Sequence, residues 1–357
     1  MKKTITFILI IAVLATTLSG CGTDPNYYRY SYTFFNAFDT VTQLIGYAKT
    51  QDEFNEYAEY LESRMLELHR LFDKYNNYEG INNLKTINDN AGLSPVTVEK
   101  EIIDLLVFSK EMNKNSSGKV NIAFGAVLEV WSRYRDDGMA DPDNAELPPM
   151  ELLLAANEHT NIDDVIIDEV NKTVYLNDPE MSLDVGAIAK GFAVEIISHE
   201  LIEKGFTSWI MSAGGNIRST GKPMDNEKDK WGVGIQNPDK EIFGEGDLDV
   251  IFVNEASVVS SGDYQRYYFV DDVRVHHIID PETLMPASYY RAVNVVIEDS
   301  ALADFYSTEV YLLPYEESRA LVDSVDGLEA IWVFPNGTIE MSEGFKAIAK
   351  SQGATSN

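Results

Sequence analysis

The sequence predicts an α+β fold, with a helix-rich first half and a mostly β second half. Apolar residues spaced by three and four dominate the first part, which is the period of amphipathic helices. Short alternating or continuous apolar runs dominate the second part, which reads as strands. Helices and strands do not alternate regularly, so a doubly wound parallel sheet is disfavoured.

Taken in order, the chain opens with Lys2-Lys3, an apolar run from Ile5 to Ala15, and Leu18-Ser19-Gly20-Cys21. This has the layout of a basic n-region, an h-region and small residues at a cleavage point. The run is too short for a comfortable transmembrane helix of about 20 residues. Leu18-Ser19-Gly20-Cys21 resembles a bacterial lipobox, which implies a lipoprotein signal peptide over residues 1–20 and lipidation of Cys21. The expected location is extracytoplasmic, lipid-anchored to the bacterial cell membrane. An uncleaved anchor or an ordinary secretory signal is the alternative. Residues 21–32 read as a tether, 33–350 as one globular domain, and 351–357 as a polar tail.

Tyr32 to Phe35 and Thr40 to Tyr47 read as the first strands. Phe54, Tyr57, Leu61, Met65, Leu68 and Phe72 then mark one face of a helix. The Asn-rich segment from Asn76 to Gly92 reads as a loop. Helices are predicted over 98–112 and 124–134, and the Asp, Gly and Pro clusters of 136–149 form a surface excursion. Val165-Ile166-Ile167 and Thr173-Val174-Tyr175-Leu176 read as a hairpin. A helix is expected from Ala187 to Lys204, stopped by Gly205. Strands follow over 208–211, 231–235, 250–253, 267–270 and 293–297. Helices over 302–313 and 315–325 precede a last strand, Ala330 to Phe334.

Composition narrows the function. With 58 acidic against 28 basic residues, the formal charge is -30, which excludes nucleic acid as a partner because phosphate binding needs a cationic face. It also excludes adsorption on anionic lipid by charge alone. The single cysteine excludes an intramolecular disulfide and a cysteine-rich zinc site.

Four constellations carry candidate chemistry. In Asp184-Val185-Gly186-Ala187-Ile188-Ala189-Lys190-Gly191, a strand end runs into a helix start, where free amides and Lys190 can meet an anion. Ser212-Ala213-Gly214-Gly215-Asn216 is a turn that lets backbone approach a ligand, or simply a tight strand connection. Ser260-Ser261-Gly262-Asp263-Tyr264-Gln265-Arg266 is followed by His276-His277-Ile278-Ile279-Asp280-Pro281. Neighbouring histidines on a strand face opposite ways, so only one can share a site with Ile279. On a helix, Asp304 and Thr308 share a face, and such hard oxygen donors suit Mg²⁺ when a phosphate completes the shell.

In this order, with His277, Asp280-Pro281-x-Thr283 and Ala303-Asp304-x-x-x-Thr308, these motifs resemble the ApbE family. Phe38-Asp39-Thr40 resembles that family's first-strand Met-Gly-Thr, and Asn121 lies where it often has Asp. The likeness spans nearly the whole mature chain. It implies an FAD:protein FMN transferase, which splits FAD with Mg²⁺ and joins FMN to a threonine hydroxyl on an acceptor protein, releasing AMP. The acceptor would carry a Ser/Thr-Gly-Ala-Thr-like motif.

Carried over by position, Asp304 and Thr308 would hold the metal by side chains, with Ala187 and Ser307 contributing backbone carbonyls. Lys190 would meet the FAD phosphates. Phe38, Tyr75, Lys119, Val120, Asn121, Asp184 and Ile279 would line the FAD site, and His277 would act as base or orienter of the acceptor hydroxyl. Catalysis would rest on His277, Asp304 and Lys190. Two departures stand out: Leu284 follows Thr283 where many members have Gly, and Phe38-Asp39 replaces Met-Gly. An FAD pyrophosphatase, or a non-catalytic flavin- or solute-binding lipoprotein, is the alternative. Gln352-Gly353-Ala354-Thr355 also resembles an acceptor motif, which raises self-flavinylation at Thr355.

Overall fold

The computed structural model describes residues 27–225, 227–240 and 246–357. The expected signal peptide, Cys21 and most of the expected tether lie outside the described residues. Strand β1 (Tyr28–Ala37) nevertheless starts inside the segment assigned to the tether. It pairs with β2 (Thr40–Ala48) across a turn in which Phe38 and Asp39 both have φ of 52°. Helix α1 (Gln51–Phe72) starts where the Thr50 hydroxyl accepts from the Glu53 amide, and buries Phe54, Leu61, Met65, Leu68 and Phe72 as its spacing requires.

The Asn-rich segment is not all loop. It contains α2 (Leu84–Asp89), closed by a reciprocal capping box between Asn83 and Thr86. Then come β3 (Val96–Thr97), α3 (Lys100–Asn115), α4 (Gly125–Ala140), α5 (Met150–Asn157), β4 (Val165–Asp168) and β5 (Thr173–Leu176). The expected β4–β5 hairpin is present, and β3 joins it as a third strand. Helix α4 runs into the segment expected to be a surface excursion.

The second half holds α6 (Ala189–Glu203), β6 (Trp209–Ala213), β7 (Asn216–Thr220), β8 (Trp231–Ile235), β9 (Asp249–Val253) and β10 (Ala256–Gly262). After these come β11 (Tyr267–Val270), β12 (Val273–His276), β13 (Ala292–Ile297), α7 (Ser300–Leu312), α8 (Tyr315–Ser324), β14 (Glu329–Val333), β15 (Ile339–Met341) and α9 (Glu343–Ile348).

Eight strands form one antiparallel sheet in the order β1-β2-β6-β7-β10-β13-β14-β15. Helices α1, α6 and α7 cover one face. The β8–β9 ribbon and α9 cover the other, where Val233, Ile251 and Phe345 meet Val258, Val296 and Ile331. Strand β13 shows the consequence: Val293 and Val295 join the helix-side core while Val296 joins the other. A third cluster, around Trp131, Tyr268, Val275 and Ile279, packs α4 against the β11–β12 ribbon. Among the described residues no helix is long and apolar enough to cross a membrane.

Candidate active site

The site lies on the helix side of the sheet, where α6 crosses α7. The crossing is close because residue 191 is glycine. A Cβ there would sit 2.2 Å from the Ser300 carbonyl oxygen and 2.4 Å from the Asp304 Cβ. At this separation the Gly191 amide donates to Asp304 Oδ2 at 2.8 Å. In an uninterrupted helix that amide would bond the carbonyl four residues back. Its diversion leaves the Ala187 carbonyl without a hydrogen-bond partner among the described residues.

Asp304 is 4% exposed, and Lys190 Nζ lies 4.0 Å from its Oδ1. Burial pushes the Asp304 pKa up, opposed by Lys190, the Gly191 amide and the nearby Asn216 side chain. Asn216 is itself buried, with Oδ1 accepting from the Ser300 hydroxyl and Nδ2 unpartnered. The Ser307 hydroxyl is committed to the fold, donating to the Asp304 carbonyl and accepting from Ser261, both at 2.9 Å. Thr308 lies one turn beyond Asp304 on α7, half-buried.

These residues fit a magnesium ion. Among the described residues no three His, Cys, Asp or Glu side chains gather into a metal cage, but Mg²⁺ commonly takes one or two carboxylates and relies on substrate phosphates for the rest. A buried carboxylate with one lightly engaged oxygen, a hydroxyl on the same helix face and an unpaired carbonyl are donors of the right hardness.

Asp184 stands at the mouth of the same helix start. Its Oδ1 accepts from the Gly186 amide at 2.8 Å, and its Oδ2 pairs with Lys74 Nζ at 2.7 Å. Burial alone would raise its pKa, but Lys74 and the Gly186 amide outweigh that and hold it below the usual carboxylate value. The Tyr75 ring is 63% exposed and lies 5.0 Å from the Lys74 ammonium. Phe38 is half-buried, edge-on to His69, and packs near Phe72, which in turn meets Phe192 in the first turn of α6. The contacts Phe38–Phe72–Phe192 lead from Phe38 to the first turn of α6, and Tyr75 sits beside the Lys74–Asp184 pair.

The Lys119–Asn121 segment lies between α3 and α4. Buried Lys119 pairs with Asp280 at 2.9 Å and with Glu282 at 2.9 Å. Val120 is buried. The Asn121 side chain is occupied structurally, donating to the Thr160 carbonyl and accepting from the Ala123 amide. Ile279 is buried in the α4 cluster, so a contact from it to a ligand falls to its backbone.

The two histidines face opposite ways, as expected. His276 is buried, with Nε2 donating to the Ala287 carbonyl. His277 is exposed, and its Nδ1 donates to the Arg266 carbonyl at 3.2 Å, which leaves Nε2 as the lone-pair nitrogen. Although the side chain keeps contact with solvent, desolvation by the protein around it and the neighbouring Arg266, His276 and Lys190 push its pKa below the usual imidazole value. Arg266 is exposed and also acts on Asp184, so Asp184, Lys190, Arg266 and His277 share one neighbourhood. Lys74 escaped the sequence reading, since nothing in its flanks shows what it approaches, and Arg266 stood there only as the end of the Ser260–Arg266 motif, with no role of its own.

The ApbE family model matches residues 38–332. A Treponema pallidum protein named FAD:protein FMN transferase is 32% identical over 273 residues, covering 73% of each chain. A Klebsiella pneumoniae protein of the same name is 30% identical over 257 residues, covering 72% of this chain and 76% of its own. Among solved structures, the ApbE protein of Thermotoga maritima superposes with a TM-score of 0.77 at 27% identity, covering 90% of this chain and 99% of its own. The flavin transferase ApbE of Vibrio cholerae shares the fold, with a TM-score of 0.72 at 20% identity over 90% of this chain and all of its own. This chain belongs to the ApbE family and is an enzyme of that family.

Proposed function

We propose that the protein moves FMN from FAD onto a threonine hydroxyl of an acceptor protein, with Mg²⁺, and releases AMP. The observation that carries this is the α6–α7 crossing, where the Asp304 carboxylate, the unpaired Ala187 carbonyl and Lys190 converge. The names of the relatives support the same reaction. Mg²⁺ held by Asp304, Thr308 and the Ala187 carbonyl would offset charge on the diphosphate.

Lys190 places an ammonium beside that position and offsets charge on the FAD phosphates as it grows. The threonine oxygen bonds to the FMN phosphorus while the bond from that phosphorus to the bridging oxygen breaks. AMP leaves with the bridging oxygen. His277 is neutral at pH 7 and presents Nε2 as an acceptor for the hydroxyl proton. Phe38 and Tyr75 supply aromatic surface for the flavin or adenine rings, and Lys119, through Asp280, sets the opposite wall. The acceptor carries a Ser/Thr-Gly-Ala-Thr-like motif, and Cys21 lipidation holds the enzyme outside the cytoplasm. The lipobox pattern in the sequence supports that placement.

Incubation with FAD, Mg²⁺ and a protein bearing Ser-Gly-Ala-Thr should add one FMN mass to the acceptor and produce AMP. EDTA should stop the reaction, and Asp304→Ala should slow it by about a thousandfold. Release of FMN and AMP at the same rate without acceptor would instead identify a pyrophosphatase. FAD bound but intact would identify a binder.

A further inference from the structure

Glu309 follows Thr308 on α7 and is completely buried. A carboxyl group in that position is costly unless its oxygens are satisfied. Both are satisfied by one distant loop: the Ser117 amide donates to Oε1 at 2.8 Å and the Val120 amide to Oε2 at 3.3 Å. On the loop's other side, Asn113 of α3 donates to the Gly118 and Val120 carbonyls at 2.9 and 3.0 Å. The loop is therefore pinned between α3 and α7. From it Lys119 reaches both carboxylate oxygens of Asp280, at 2.9 and 3.2 Å. Asp280 lies three residues beyond His277, and its own backbone is tied to Met285 and Leu284.

We propose that Glu309 is a positioning residue for the flavin-binding wall. By fixing the 117–120 loop to α7, it sets Lys119 against Asp280 and holds the 277–280 segment in register with Asp304 and Thr308. One buried side chain thus ties the helix bearing the metal donors to the segment bearing the proton acceptor. This rests on the reading of the site as an FAD-dependent transferase. Glu309 contacts neither reacting atoms nor substrate, so it acts only through the placement of the FAD wall and of the His277 segment.

The test compares the wild-type protein with Glu309→Gln, Glu309→Ala, Lys119→Met and the Glu309→Gln/Lys119→Met double variant. Glutamine keeps an acceptor for the Ser117 amide but turns an NH₂ group toward the Val120 amide, whereas alanine removes both acceptors. FAD Kd should rise about tenfold in Glu309→Ala and less in Glu309→Gln, and kcat should fall in the same order as the His277 segment shifts against Asp304. The double variant should bind FAD no more weakly than Lys119→Met alone, because both changes act through one contact.

Amide hydrogen exchange in 117–121 and 277–282 should accelerate together in Glu309→Gln, with or without flavin. Unchanged exchange at 277–282, or fully additive losses of FAD affinity, would overturn the proposal. Should Glu309→Ala fail to fold, the glutamine variant and the double variant decide alone. If exchange responds as expected while the wild-type protein ignores FAD, the transferase reading fails and the coupling stands.

Discussion

Lys74 and Asp184 form a largely buried pair at the mouth of the site, with side chains 9% and 15% exposed. Asp184 has a folded-state pKa below its unfolded value. Its contribution to stability is therefore full above about pH 4, the ordinary aspartate range, and fades as pH falls through the folded value. Lys74→Met should lower stability at pH 7 by about 3 kcal/mol, because it strands a buried carboxylate. It should also flatten the loss of stability below pH 4. Urea melts at pH 7 and pH 3.5 measure both, and equal midpoints for wild type and variant at pH 7 would refute the pairing. At this scale helical spacing put Asp304 and Thr308 on one helix face and Lys190 at a helix start, because that geometry is local, while the roles expected of them came from the family resemblance. The sequence did not disclose Lys74 or Glu309, whose partners lie 110 and 192 residues away. The Asn121 side chain, expected in the FAD site, is taken up by the local turn.

At the scale of elements, the site is made by two helices brought within backbone contact. Gly191→Ala would force a methyl group onto the Ser300 carbonyl and the Asp304 Cβ. The expected result is a loss of about 1–3 kcal/mol in stability, as for other overpacked contacts. Turnover should fall at least about tenfold, since displacing α6 moves both Lys190 and the Ala187 carbonyl. Thermal melting and steady-state transfer check this together, and normal turnover in a destabilised variant would contradict it. Elements with a clear one-sided pattern were legible, including α1 and the β4–β5 hairpin. Strand β10 was not, because Ala256–Gly262 is buried on both faces and rich in serine, which erases the alternation a strand normally displays. Helix α2 was hidden for a different reason: its asparagines read as turn residues, yet Asn83 serves as a cap.

For the molecule as a whole, the two-sided cover of the sheet decides the question of Thr355. The tail turns back through Gly353, and the Ser356 carbonyl accepts from the Asp229 and Lys230 amides at 2.8 and 3.0 Å. It lies beside the β8–β9 layer, on the opposite side of the sheet from Asp304. A chain held in this fold cannot bring Thr355 to its own site. Intact mass after incubation of dilute protein with FAD and Mg²⁺ should therefore show no FMN on the tail. A mass gain that disappears in Thr355→Ala would show that the tail leaves this position. The acid excess found at the start is a property of the outer surface, while the cations that matter are few and placed: Lys74, Lys119 and Lys190.

The Gly191–Asp304 bond also has a bearing on when this protein becomes competent. It joins residues 113 apart, and the Lys119–Asp280 pair spans 161. Contacts of such long range close late, because each must first overcome the entropy of the intervening chain. A partly folded or incompletely made chain therefore has the separate segments and no assembled centre. Competence would arrive only when α7 docks, so a product ending before Ser300 would lack the centre altogether.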